Sequence, residues 1–169
     1  MEYFRSEVRK AGFPGLHLQL TPGGGSDPSP SKQEHMKENI ALLGINSIAF
    51  YNMGGFDCDY EIHNQNAVRM RENTDAAYDI PLFPTVSIGW DDTPRFPAKG
   101  EKDVTRLNNT PEVFGKYLQI AKDYADTHRT VQPPFVMINA WNEWVEGSYL
   151  LPDQVNGFGY LEQVTLFTR

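Results

Sequence analysis

The chain repeats one pattern: a helical stretch, a short turn, an apolar run and a long polar loop. Tyr3–Ala11 reads as helix and passes through Gly12 into the strand GLHLQL, Gly15–Leu20. After the loop TPGGGSDPSP, Ser31 and Glu34 stand at capping-box spacing and predict a second helix, stopped by Gly44. INSIAFYN, Ile45–Asn52, is the next strand, MGGFDCDYEIHNQ reads as loop, and Ala67–Tyr78 as helix. LFPTVSIGW, Leu82–Trp90, reads as one strand followed by a long loop. Thr110 then caps a helix with Pro111 in its first turn, and Phe114, Leu118, Ala121 and Ala125 fall on one face. FVMINAW, Phe135–Trp141, is the last strand, and a final helix starts near Tyr160.

Alternating strands and helices predict parallel pairing and the α/β class. The loops are lopsided: helix-to-strand connections are short, and strand-to-helix connections are long and rich in Gly, Asp and Pro. A (β/α)8 barrel builds its site from the loops after its strands, and a doubly wound sheet also binds ligands at strand C-termini. No G-x-G-x-x-G follows a strand, and Gly23–Gly25 is a plain turn signal, which disfavours a nucleotide-binding sheet. About four strand–helix units are legible, where a full barrel has eight. The expectation is a single partial domain over residues 1–169, the C-terminal half of a TIM-type barrel with its N-terminal half missing. A complete small α/β sandwich is the competing architecture.

Composition excludes several classes. The 15 Lys and Arg are scattered in a chain of net charge −7, so nucleic acid is a poor partner. Cys58 is the only cysteine, which rules out an internal disulfide and disfavours a Cys-based zinc site. His17, His35, His63 and His128 are too dispersed for a ligand motif, and His17, inside a strand, reads as a satisfied structural residue. Neither a metal nor a cofactor is expected. No apolar run is long enough to span a bilayer, and the charged start MEYFRSEVRK lacks a signal-peptide core. A cytoplasmic location is therefore the expectation for a chain that starts here.

The richest stretch is INAWNEWVEGSYLLPD, Ile138–Asp153. Glu143 and Glu146 follow an apolar strand and are bracketed by Trp141, Asn142, Trp144 and Gly147. Two carboxylates turned into one pocket suit glycoside chemistry, in which one protonates a leaving oxygen and the other serves as base or nucleophile. Like charges beside apolar rings would push their pKa values apart. Tryptophan offers a flat face to sugar C–H bonds, and asparagine both donates to and accepts from hydroxyls. Each part also has an ordinary explanation: tryptophans in α/β proteins usually fill cores, and isolated glutamates usually face water. The other strand ends add Trp90 and Asp91 as sugar contacts, and Tyr51, Asn52 and Gln19 as subsite lining. Arg95 could instead tie its own loop down by pairing with Asp91 or Asp92. Asp153, after Pro152, more often caps a turn than reaches a substrate.

WNEWVEGSYLLPD with the later GFGYLE resembles the end of WbsX-type, glycoside hydrolase family 99-like proteins, and GWDDTPR, Gly89–Arg95, resembles their second signature. The resemblance covers most of the chain and implies a (β/α)8 barrel acting on glycans or polysaccharides. Family 99 proper implies retaining endo-α-mannosidase chemistry. Glu143 would then assist the sugar's 2-hydroxyl, through an epoxide-like intermediate, and Glu146 would be acid, then base. The WbsX-type branch implies a glycosyltransferase of bacterial O-antigen, lipopolysaccharide or capsule synthesis. A non-catalytic carbohydrate-binding protein and an inactive fragment are the other readings. An open half-barrel would self-associate or pair with a separate N-terminal half.

Overall fold

The computed structural model describes residues 1–22, 29–54, 59–96, 108–128 and 134–168. The turn at Gly23–Gly25, Cys58 and most of the loop after Phe96 lie outside the described residues. Five helices alternate with short strands: α1 Glu2–Lys10, β1 Gln19–Leu20, α2 Pro30–Leu43, β2 Ser47–Ala49, α3 Tyr60–Ala77, β3 Leu82–Phe83, β4 Thr85–Ser87, α4 Pro111–Thr127, β5 Met137–Asn139 and α5 Gly159–Phe167. Between β5 and α5 the chain forms a small antiparallel hairpin, β6 Asn142–Glu143 and β7 Ser148–Tyr149, around a 3-10 turn at Trp144–Glu146.

Among β1 to β5 the pairings follow chain order and are parallel. β1 pairs with β2 and β2 with β3, while β4 pairs with β5. Pro84 separates β3 from β4, where the sequence predicts a single strand. Proline has no N–H to give a ladder. Its carbonyl instead accepts the Met137 amide at 2.8 Å, and the Thr85 hydroxyl donates to Phe50 O at 2.7 Å. The middle strands β2, β3 and β4 are buried at every position, whereas β1 and β5 are partly exposed.

Helix ends follow local chemistry, with two corrections to the sequence reading. Thr110 caps α4, its hydroxyl accepting the Val113 amide at 3.4 Å, with Pro111 next in line. The Ser31–Glu34 capping box does not form. Pro30, whose fixed φ suits a first helical turn, moves the start of α2 back, and Ser29 sits at the cap without capping a backbone amide. α3 begins at Tyr60, well before the expected Ala67, because Asp59 accepts the amides of Glu61 at 2.9 Å and Ile62 at 3.1 Å. α1 is held by Arg5, which donates to Leu16 O at 3.1 Å and to Gly44 O, at the end of α2, at 2.6 Å. His17 Nε2 lies 2.8 Å from the Ser47 hydroxyl, so its ring is satisfied just before β1.

Two apolar clusters support the sheet. One gathers Tyr60, Val86, Ile88, Phe114, Leu118, Leu150 and Tyr160 beneath α4 and α5; the other gathers Ile48, Phe50, Met53, Met70 and Leu82 under α3. Several core tyrosines keep a polar contact: Tyr60 donates to Ser87 O, and Tyr160 to Asn109 O. Burial pushes the phenols of Tyr60, Tyr124 and Tyr160 well above the usual tyrosine range and that of Tyr117 up to about 12.

A phenol whose pKa is raised by folding stabilises the native state fully below the unfolded value of ~10 and loses that contribution as pH climbs through the folded value. Stability is therefore expected to be insensitive to these groups below pH ~10 and to fall as pH passes ~10 toward 12. Tyrosinate absorbance and far-ultraviolet circular dichroism, followed together, check this. The exposed tyrosines should ionise near the ordinary value and the buried ones only as helix signal is lost. Ionisation of all eight tyrosines in one step, with the helix signal intact, would contradict the buried-phenol core.

Candidate functional site

The site forms where β2, β4 and β5 end. The sequence places Tyr51 just after β2, Trp90–Arg95 after β4, and the hairpin after β5. Backbone bonds lock the last two loops together. The Asp91 amide donates to Glu146 O at 2.7 Å, and a Cβ built on Gly147 would lie 3.1 Å from Asp91 Cβ. Gly147 has φ +58°, so a side chain there would meet both backbone strain and this contact. The Asp91 Oδ1 atom accepts from the Thr93 amide at 3.1 Å and the Thr93 hydroxyl at 2.6 Å, and the amides of Arg95 and Phe96 donate to Asp92 O. This compact turn aims Arg95 across at the hairpin.

Glu146 is the focus. Arg95 Nη1 donates to Oε1 at 3.0 Å and the Tyr51 hydroxyl to Oε2 at 3.3 Å. The Glu146 side chain is only 13% exposed, against 47% for Arg95, so the carboxylate is the enclosed partner. Arg95 therefore pairs neither with Asp91 nor with Asp92 in a salt bridge, the alternatives its own loop offered, but with a glutamate from the other signature. Glu143 lies on β6 opposite Ser148 and is half-buried. Its charge reaches Tyr51: partial burial raises the Tyr51 pKa first, the Asn139 amide opposes, and the charges of Glu146 and Glu143 raise it further.

The other predicted residues divide. The Trp90 ring meets Tyr51 edge-on at 6.4 Å. Trp144 is stacked on Tyr149 at 4.1 Å while staying 49% exposed, so one indole face is backed and the ring still reaches solvent. Trp141 and Asn142 are exposed, and no hydrogen bond or ring contact joins either side chain to the carboxylates among the described residues. Asn52 Oδ1 is buried with no hydrogen-bond partner among them. Gln19 is exposed on β1. Asp153 caps its own turn, accepting the amides of Val155 at 2.7 Å and Asn156 at 2.5 Å.

Sequence reasoning missed Asn139 and Ser148. Asn139 is buried at the end of β5, and the Ser148 hydroxyl lies 2.8 Å from both its backbone oxygen and Oδ1. That fixes which way the amide points. The signal was an asparagine closing the otherwise apolar run FVMINA, a buried polar group that needs a purpose.

The fold and the site define a parallel α/β domain with an acidic, aromatic-flanked site at its strand ends. The chain belongs to the family described as Glycosyltransferase WbsX, whose model matches residues 1–164, and membership supports a glycan-related role. Among curated proteins, the Uncharacterized protein WxcX of Xanthomonas campestris pv. campestris, in strains B100 and ATCC 33913, is 34% identical over 84 residues. That match covers 50% of this chain and 12% of each relative, so the chain corresponds to a small part of a longer protein there. No solved structure matches the chain.

The Tyr51 phenol reports on this geometry without any substrate. Glu146→Gln removes a neighbouring negative charge, so the Tyr51 pKa should fall toward its ordinary value, with a smaller fall in Glu143→Gln. Titration by NMR with labelled tyrosine, assigned with Tyr51→Phe, reads this directly. An unmoved Tyr51 in both variants would mean that the carboxylates are not gathered around it.

Proposed function

We propose that this domain carries the acceptor side of a glycosyl-transfer site, with Glu146 as general base and Glu143 beside it. The observation that carries the reading is the contact pattern on Glu146. Each carboxylate oxygen accepts one hydrogen bond, from Arg95 and from Tyr51, and each keeps a further lone pair for a substrate proton. A general acid would instead have to hold a proton on one of those oxygens. The step is a displacement. The acceptor hydroxyl gives its proton to Glu146 as its oxygen bonds to the anomeric carbon of an activated sugar donor. The bond from that carbon to the leaving group breaks, and the electron pair leaves with the group. Trp90, Trp144, Asn142, Trp141 and Asn52 would line the path of the glycan, and family membership supports transfer as the reaction class.

Hydrolysis is the second reading. It is favoured by the placement of both glutamates on one hairpin beside Tyr51, whose pKa their charges help raise, since glycosidase sites likewise gather two carboxylates. Under this reading Glu143 assists the 2-hydroxyl and Glu146 is acid/base. As to architecture, we read the successive strands β1 to β5, with β3 and β4 as one barrel strand interrupted at Pro84, as half of a (β/α)8 barrel. The exposed outer strands β1 and β5 support this, since further strand–helix units, or a second copy of the chain, would cover them.

The test incubates the chain with nucleotide sugars or nitrophenyl glycosides and a neutral oligosaccharide acceptor, read by mass spectrometry. Transfer lengthens the acceptor by one sugar. Glu146→Gln should lower the rate by ~100-fold or more, the scale of general base catalysis. Donor cleavage to free sugar with no lengthened acceptor would replace transfer by hydrolysis. Full activity in Glu146→Gln would remove this site from the reaction.

A further inference from the structure

Asn139 ends β5, just ahead of the hairpin that carries both glutamates, and is only 3% exposed. A buried primary amide has an acceptor end and a donor end to account for. Ser148, itself fully buried, accounts for the acceptor: its hydroxyl lies 2.8 Å from Asn139 Oδ1 and 2.8 Å from the Asn139 backbone oxygen. With the oxygen turned to Ser148, the NH2 group is turned away from it. Nδ2 closes no hydrogen bond of ordinary geometry among the described residues, yet it acts on the Tyr51 phenol as a donor. Burial raises the Tyr51 pKa and the Asn139 amide opposes this, whereas an amide oxygen facing the phenol would raise the pKa further.

The Tyr51 hydroxyl has a single proton. Toward an NH2 group its oxygen can only accept, which leaves the proton for Glu146 Oε2 at 3.3 Å. The ring is steadied by Trp90, edge-on at 6.4 Å. The links then run one way: Ser148 donates to Asn139, Asn139 is directed at Tyr51, and Tyr51 donates to Glu146. Such a chain suits a carboxylate that takes a proton and hinders one that must deliver it. We propose that Asn139, locked by Ser148, is a positioning residue that commits the Tyr51 proton to Glu146 and so keeps that carboxylate ready to accept the proton of an incoming sugar hydroxyl. The inference deepens the transfer reading and rests on it. Asn139 acts through Tyr51 from within the core.

The experiment removes the donor without changing the shape. Asn139→Leu fills a similar volume, and the Ser148 hydroxyl keeps the backbone oxygen as its acceptor, so no buried donor is orphaned. In NMR titration of the full chain with labelled tyrosine, the Tyr51 pKa should rise in Asn139→Leu, because the ionised phenol loses its donor. Ser148→Ala, which frees the amide to turn over, should shift Tyr51 the same way by less. In the transfer assay Asn139→Leu should lower kcat about tenfold with KM within about threefold, and should cost nothing more once Tyr51→Phe is in place. A merely structural role predicts losses that add in the double variant and a Tyr51 that does not move. Melting curves show which variants are folded, and Ser148→Ala carries the titration if Asn139→Leu is not. A Tyr51 pKa that falls or stays put in the folded variant, or additive losses, overturns the inference and leaves the transfer reading standing. A wild type that transfers no sugar overturns the transfer reading, and the Tyr51 titration then decides by itself where the phenol proton goes.

Discussion

The hydrogen bond from the Asp91 amide to the Glu146 carbonyl joins the two loops on which the site depends. One loop leaves β4 and the other leaves β5, two strands that already run side by side. Parallel pairing brings the strand ends to the same edge, and the backbone bond then sets how the loops lie on one another. The other contacts follow from it. Gly147 must pack on Asp91, Arg95 is swung toward the hairpin, and Glu146 is left between a guanidinium and a phenol. The chemistry of the site is thus a product of tertiary arrangement, since neither loop contains both members of the ion pair.

That dependence explains which parts could be read from sequence. The α/β alternation was legible because strands such as SIA are short apolar runs between helical stretches with clear signals, Thr110–Pro111 above all. The start of α3 was not legible. Its first turns contain His63 and Asn64, polar residues that are nonetheless buried, and Asn64 returns its amide to Tyr60 O at 2.8 Å. Polar burial breaks the apolar periodicity on which the helix reading relies. Ser29 and Ser31 are equally good caps in isolation, and only the proline between them fixes the boundary. The glutamates stood out by composition, but the partner of Arg95 did not. Its own loop offered two aspartates, and the true partner is supplied by a strand end much later in the chain.

The same geometry bears on how transferase and hydrolase readings divide. Both use Glu143 and Glu146, and both need sugar beside the tryptophans. They differ in whether Glu146 begins the reaction holding a proton or ready to accept one. Hydrogen bonds arriving at both of its oxygens favour acceptance, whereas a glycosidase acid is normally placed where one oxygen is free to present a proton. Asn139, fixed by Ser148, adds a rigid amide near the phenol that contacts Glu146, so the carboxylate is supported from the strand as well as from the loops.

Tyr60 links this arrangement to the body of the protein. It is fully buried in the first turn of α3 and its hydroxyl donates to Ser87 O, the last residue of β4, immediately beneath the loop that carries Trp90 and Asp91. The floor of the site is therefore also a piece of the core. If Glu146 is the base proposed above, a genetic screen scored on product formation alone would place Tyr60 in the same class as Glu146, although Tyr60 lies in the core and not in the cleft. What would separate the two is the amount of folded protein recovered: loss of the tyrosine would deplete it, whereas loss of the proposed base would not.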